Sequence, residues 1–268
     1  MNAGLGPVLI TGGTSGIGFA IANALLHSGR PVAIIGRDPE KCVTATKLLA
    51  DTGADLDSLL LAFPVDTTDL SSLRHVVDQV VERWGRLDGL VTSAGRLARG
   101  SVLELDSNEF FRAWETNVVG TWKATKAALP AMLHQRYGRI VTIGSILGSV
   151  GAPERGGYAA TKGAVASLTR SLALEVSNDG ITANCIAPGP VKSPLNTDPI
   201  DDLTAKSEKL TDTRPLSDSA TQQFNSGIPL GRWGAPSEIA HIALSLLSLN
   251  AGWTTGSIIH IDGGYTAQ

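Results

Sequence analysis

Short runs dominated by Val and Ile alternate with longer segments of helical period along the whole chain, and this alternation restricts the fold more than any other feature. A run that is apolar at nearly every position is buried on both faces, and in a parallel sheet the covering layers are helices. Such runs lie at Val8–Thr11, Val32–Gly36, Leu59–Val65, Gly89–Thr92, Arg139–Gly144, Thr182–Ala187 and Ser257–Ile261. Helical periods are read over Gly16–Ser28, Pro39–Thr52, Asn108–Gln135, Tyr158–Asn178 and Ser237–Leu249, with Pro130 expected to kink the third. Leu73, Val76, Val77, Val80, Val81 and Trp84 recur at steps of three and four, which places them on one face of a further helix. The pattern predicts an α/β fold: a single-domain, doubly wound parallel sheet of about seven strands with helices on both faces. Only Ser193–Ile228 breaks the rhythm; it is polar and punctuated by Pro194, Pro199, Pro215 and Gly227. A connection of this length inside a compact domain is expected to be functional, here a substrate lid (residues 193–228) within the one domain of residues 1–268.

Composition narrows the partners. The net charge of −3 is spread along the chain, without the basic patch that nucleic acid or an anionic membrane requires. Cys42 and Cys185 stand far apart with no histidine cluster, so neither a disulfide framework nor a metal site is expected. No apolar run approaches the ~18 residues of a spanning helix, and Met1–Pro7 lacks the character of a leader, so a cytoplasmic protein is expected.

Two places carry chemistry. Strand Val8–Thr11 leads through Gly12-Gly13-Thr14-Ser15-Gly16-Ile17-Gly18 into a helix. A glycine-rich turn at a helix N-terminus lets backbone N–H groups approach an anion, and its place in the first βαβ unit suits a dinucleotide pyrophosphate. At the end of the second strand, Gly36 stands where an acid would meet a free ribose 2′-hydroxyl, and Arg37 follows, suited to a 2′-phosphate with help from Thr14 or Ser15. NADP(H) is therefore preferred, with NAD(H) possible because the adjacent Asp38 either reaches a ribose, pairs with Arg37 or caps the next helix. The second place is Tyr158 and Lys162, one helical turn apart, with Ser145 at the end of the strand before them. An ammonium near a phenol favours phenolate, so Lys162 is expected to lower the Tyr158 pKa toward the range of general acid–base catalysis.

Thr11-Gly12-x3-Gly16-x-Gly18, Asp66, Ala94-Gly95, Asn117, Ser145, Tyr158-x3-Lys162, Asn184, Pro188-Gly189 and Asp262-Gly263-Gly264 occur in this order over nearly the whole length. With them the chain resembles the short-chain dehydrogenase/reductase family, whose Rossmann sheet is the doubly wound one read above. The resemblance implies that Tyr158 exchanges the proton with a carbonyl or alcohol oxygen that Ser145 orients, without a metal. It also implies that Lys162 binds the nicotinamide ribose, Asn117 holds a relay water, Asp66 places the adenine, and Pro188, Gly189 and Val191 line the nicotinamide pocket. Two positions depart from the family: Thr92-Ser93-Ala94-Gly95 carries Ser93 where an asparagine is usual, and Ser193 stands where a threonine would bond the carboxamide.

The segments Leu230–Gly234 and Thr142–Ser145 look most like the 3-oxoacyl-carrier-protein-reductase branch, which also holds sugar, polyol and secondary-alcohol dehydrogenases. Arg136 fits one position that docks an acidic carrier protein, but Asp179 stands where a second base is expected. The expected substrate is a small carbonyl or alcohol; a carrier-bound 3-oxoacyl group, a sugar or polyol, imine or enone reduction, and a non-enzymatic dinucleotide sensor are the alternatives. Arg96, Arg99, Glu154 and Arg155 fall in loops where an anionic substrate would meet them, with Leu97, Ile146, Leu147 and Trp233 as apolar walls. The small residues Ala159, Ala160, Gly163, Ala164 and Ala166 allow another helix to pack closely, and the family resemblance implies a homotetramer.

Overall fold

The computed structural model describes residues 6–50, 56–195 and 227–268. Its strands are β1 (Val8–Thr11), β2 (Val32–Gly36), β3 (Leu60–Pro64), β4 (Gly89–Thr92), β5 (Gly138–Ile143), β6 (Ile181–Pro188) and β7 (Ile258–Ile261). They form one sheet in the order β3-β2-β1-β4-β5-β6-β7, and every pairing is parallel. The doubly wound α/β sheet expected from the sequence is present, with its strands within a residue or two of the predicted bounds.

The helices are α1 (Gly16–His27), α2 (Pro39–Ala50), α3 (Leu56–Leu59), α4 (Leu70–Trp84), α5 (Ser107–Trp114), α6 (Gly120–Gln135), α7 (Gly156–Val176) and α8 (Pro236–Leu246). They divide between two cores. On one face α1 and α8 bury Ile21, Leu25, Ile239 and Ala243 against Ile10, Ile34 and Val141. On the other, α4, α6 and α7 bury Leu73, Val76, Val80, Met132 and Leu172 against Leu9, Ile35, Leu90 and Ile140. Successive side chains of a strand point to opposite faces, so Leu9 and Ile10 serve different cores. The helical face read over residues 73–84 packs as expected, with Val81 and Trp84 at its partly buried margin.

The segment read as one helix over 108–135 is two helices joined by a π-helical turn at Glu115–Val119, and α6 continues through Pro130. Single-turn π insertions interrupt the α-helical hydrogen-bond ladder and recur at functional sites. Here the turn carries Thr116 and Asn117, and a single five-residue turn is too short to show in a 3.6-residue period. Of the proposed lid, residues 196–226 lie outside the described residues.

Chain order reverses between β1 and β4, which are paired with Thr11 opposite Thr92. In open α/β sheets the crevice beyond the strand C-termini at such a reversal is where ligands bind.

Candidate active site

A cleft of about 780 Å³ opens at that reversal. The turn after β1 lines it with Gly12, Thr14, Ser15, Gly16 and Ile17; β2 and β3 add Arg37 and Asp66; the end of β4 adds Ser93, Ala94 and Gly95. On the far side stand Ser145, Tyr158 and Lys162, and beyond β6 come Pro188, Gly189, Val191 and Ser193. Of the four charged loop residues, Arg96 and Glu154 do not line it, and of the catalytic and cofactor-binding residues read from the sequence, Gly18 and Asn117 do not.

Their places explain why. A Cβ at Gly18 would collide with the Gly12 carbonyl oxygen, so this glycine lets α1 close on the phosphate turn rather than contacting a ligand. Gly12 itself has φ +66°, and a Cβ there would come within 2.7 Å of the Ala94 backbone. The two glycine-bearing motifs are therefore packed against each other across the β1–β4 reversal. Asn117 is buried and its amide is committed: Oδ1 accepts from Arg96 N at 2.7 Å, while Nδ2 donates to Arg96 O and to Thr161 Oγ1, both at 2.9 Å. It ties the loop after β4 to the helix carrying Tyr158 and Lys162.

The end of the cleft near β2 has the properties of a dinucleotide phosphate site. Helix α1 begins at Ser15, whose side chain makes no capping bond, and its first turn holds no acid. By contrast α4 and α5 are capped by Asp69 and Asp106, each accepting two backbone N–H groups. The uncapped N–H groups of α1 thus face the cleft lined by Gly16 and Ile17, where an anion would satisfy them. Asp38 is used as the cap of α2, its Oδ1 accepting from Glu40 N at 2.9 Å and Lys41 N at 3.3 Å. Thr14 lies over Gly36, where a Cβ would sit 2.6 Å from the threonine methyl, so an acid at position 36 would displace it. Lys41, which also lines the cleft, was not singled out from the sequence. Its four-residue spacing from Arg37 across the start of α2 was the available signal. Asp66 uses Oδ1 to hold Thr68 N and Thr68 Oγ1, both at 2.8 Å, fixing the turn after β3.

At the other end, Ser145 accepts from Leu147 N at 3.2 Å, and its hydroxyl stands beside the Tyr158 phenol. Burial pushes the Tyr158 pKa up to about 12, and the Ser145 hydroxyl pulls it partly back. The lowering expected from Lys162 is overridden: Lys162 Nζ lies 5.6 Å from the Tyr158 ring centroid and donates to Ile143 O at 2.8 Å. Its own pKa is pushed down to about 8 by burial, against a smaller opposing influence of Cys185. Desolvation thus outweighs the Ser145 hydroxyl, and Tyr158 holds its proton at neutral pH.

Around this end the cleft is walled by Leu97, Ile146, Leu147 and Trp233, as read from the sequence, and by Thr116 and Tyr265, which were not. Tyr265 comes from the turn after β7, far along the chain, with no local signal. Among the described residues no group of His, Cys, Asp and Glu could hold a metal ion, and no helix is long and apolar enough to cross a membrane. Arg136 and Asp179 pair with each other at 3.4 Å, at the edge of the sheet where β5 and β6 begin, opposite the cleft.

A parallel sheet with this cleft at its chain reversal defines a dinucleotide-binding class of protein, and comparison with known proteins gives the family. Residues 12–266 match the family model described as Enoyl-(Acyl carrier protein) reductase. The chain is 36% identical to 2-(S)-hydroxypropyl-CoM dehydrogenase 3 of Xanthobacter autotrophicus, over 97% of this chain and 96% of that one. It is 32% identical to 3-oxoacyl-(acyl-carrier-protein) reductase FabG of Staphylococcus aureus, over 96% of each. Among solved structures it is similar to an actinorhodin polyketide ketoreductase variant with NADPH, with TM-score 0.85 and 31% identity over 100% of both chains. The chain belongs to the short-chain dehydrogenase/reductase family of oxidoreductases, in its FabG-like branch.

Proposed function

We propose that this protein is an NADP(H)-dependent oxidoreductase that interconverts a ketone and a secondary alcohol, with Tyr158 as general acid and base. The observation that carries the reading is one continuous cleft lined by Ser145, Tyr158 and Lys162 at one end and by Arg37 and Lys41 at the other. NADPH in a similar ketoreductase supports the cofactor.

The dinucleotide would be held by the turn Gly12–Ile17, by Ser93–Gly95 and by residues 188–193, its 2′-phosphate by Arg37 and Lys41, and when bound it supplies the hydride. In reduction the substrate oxygen accepts hydrogen bonds from Ser145 and Tyr158. As the carbonyl carbon becomes tetrahedral, Tyr158 passes its proton to that oxygen. Lys162 then stabilises the phenolate by its charge. Reprotonation would be served by a relay water held near Asn117, whose carbonyl accepts Thr121 Oγ1 at 2.7 Å. The Arg136–Asp179 pair removes the basic docking surface that an acidic carrier protein would need, which favours a small substrate over a carrier-bound one. Free, buried Cys42 and Cys185 suit a reducing cytoplasmic compartment.

The test is NADPH and NADH consumption over a panel of ketones, keto-esters, sugars and acyl thioesters. Ketone reduction with a higher kcat/KM for NADPH is expected. Arg37→Ala and Lys41→Ala should each lower that preference roughly tenfold, as loss of one charge-assisted contact implies. An equal or higher kcat/KM with NADH would overturn the cofactor assignment.

A further inference from the structure

We infer that the substrate-facing end of the cleft is built for a carbonyl compound carrying a compact oxyanion, a carboxylate or a sulfonate, held by Arg99 and Arg155. The inference rests on the carbonyl-reductase reading and adds to it the class of substrate.

Four charged loop residues were candidates, and the fold separates them. Arg96 turns away to Glu109, with Nη2 to Oε2 at 2.8 Å, and Glu109 also takes Arg112 at 2.8 Å. That cluster lies outside the cleft lining. Arg99 and Arg155 line the cleft, and neither forms an ion pair among the described residues. They come from different loops, yet one carbonyl ties both down: Glu154 O accepts from Gly100 N at 3.0 Å and from Arg155 Nη1 at 3.1 Å. Glu154 reaches this position in a left-handed backbone conformation, φ +58°, which is unfavourable for a residue other than glycine. Such strain persists where the surrounding structure over-determines it, and it clusters at binding sites.

The charge balance agrees. Of the acids in the described lining, Asp38 and Asp66 both belong to the opposite end, after β2 and β3. Near the arginines, Glu104 is engaged by the Ser101 hydroxyl at 3.0 Å, and the exposed Glu154, next to Arg155, does not line the cleft. Arg155 is also the N-cap residue of α7, whose first turn contains no acid and no capping side chain. Two guanidinium groups lining the same cleft as Ser145 and Tyr158, one of them three residues before Tyr158, give that end a positive potential, and a planar guanidinium fork matches a planar or tetrahedral oxyanion.

The experiment compares 4-acetylbenzoate, 4-acetylbenzenesulfonate and the uncharged methyl 4-acetylbenzoate as substrates of the full chain with saturating NADPH. The anionic ketones are expected to have the higher kcat/KM, declining several-fold between low and high salt while the ester does not. Arg99→Ala and Arg155→Ala should each reduce the anion-to-ester ratio of kcat/KM at least tenfold, chiefly through KM. Arg155→Lys should retain part of the ratio, and Arg112→Ala, which removes a charge outside the cleft, should leave it unchanged. The ranking of carboxylate against sulfonate identifies the oxyanion. A ratio near one in the wild type, or one insensitive to both arginine substitutions, would overturn the inference while leaving the reductase intact. If no ketone is reduced at all, the reductase reading fails instead. Calorimetric titration of 4-acetylbenzoate into wild type, Arg99→Ala and Arg155→Lys then decides the anion site without turnover: weakened binding in the variants supports it, and equal or absent binding removes it.

Discussion

Tyr158 shows how burial sets the state of a reactive group. Burial raises the pKa of the phenol against the pull of the Ser145 hydroxyl, so the proton is held firmly at neutral pH, as the proposed role of acid requires. Tyr158→Phe should lower kcat by about 100-fold to 10,000-fold, the range for a lost general acid, with dinucleotide affinity measured by titration nearly unchanged. Ser145 lowers the Tyr158 pKa by donating to its oxygen, so removing that donor raises it. In Ser145→Ala the alkaline limb of ketone reduction, where the acid form is lost, should therefore move to higher pH. The alkaline rise of alcohol oxidation, which needs phenolate, should move the same way. A pH profile displaced downward would show that the serine does not act on Tyr158. At this scale the residue types were legible in the sequence, but their electrostatics were not: the spacing of Tyr158 and Lys162 signalled an attraction, whereas the depth of burial that overrides it belongs to the packed core.

Among the elements, the phosphate turn and the π turn carry the site. Gly18 is required by the closure of α1 on Gly12 and not by a ligand. Gly18→Ala forces the helix away from the turn, an overpacking of roughly 1–3 kcal/mol. Tm should fall by several degrees and KM for the dinucleotide should rise; thermal unfolding and steady-state kinetics check both. The glycine pattern was readable, since a strand, a glycine cluster and a helix follow one another. Which glycine faces the cleft and which faces the backbone was not, because that depends on how the helix meets the turn. The π turn was invisible because a single five-residue turn is too short to read from periodicity, while it places Asn117 under the loop it holds.

For the whole molecule, the outer faces left after both cores are filled include large apolar side chains: Leu174 on α7 is 80% exposed, Phe111 on α5 60% and Trp122 on α6 54%. On α7 the exposed or half-exposed Ala160, Gly163, Ala164 and Ser167 lie in the same part of the helix that was read as a close-packing stripe, whereas Ala166 faces the core. Exposed apolar groups on neighbouring helices fit self-association, and a homotetramer is the expected state. Sedimentation velocity should show it, and Leu174→Arg should shift the distribution to smaller species; a wild-type monomer at micromolar concentration would reject it.

The alternation of apolar runs and helical periods, by itself, determined the parallel sheet, its two helical layers and the candidate residues along the strand ends, because each follows from local periodicity and residue chemistry. Only the tertiary structure decided which of those candidates share a cleft. It turned Arg96 to Glu109 and left Arg155 lining the cleft, made Asp38 a helix cap, brought in Lys41 and Tyr265, and set Arg136 against Asp179 on the opposite edge. A side chain's partner depends on elements distant in sequence, and no local period encodes where those elements stop.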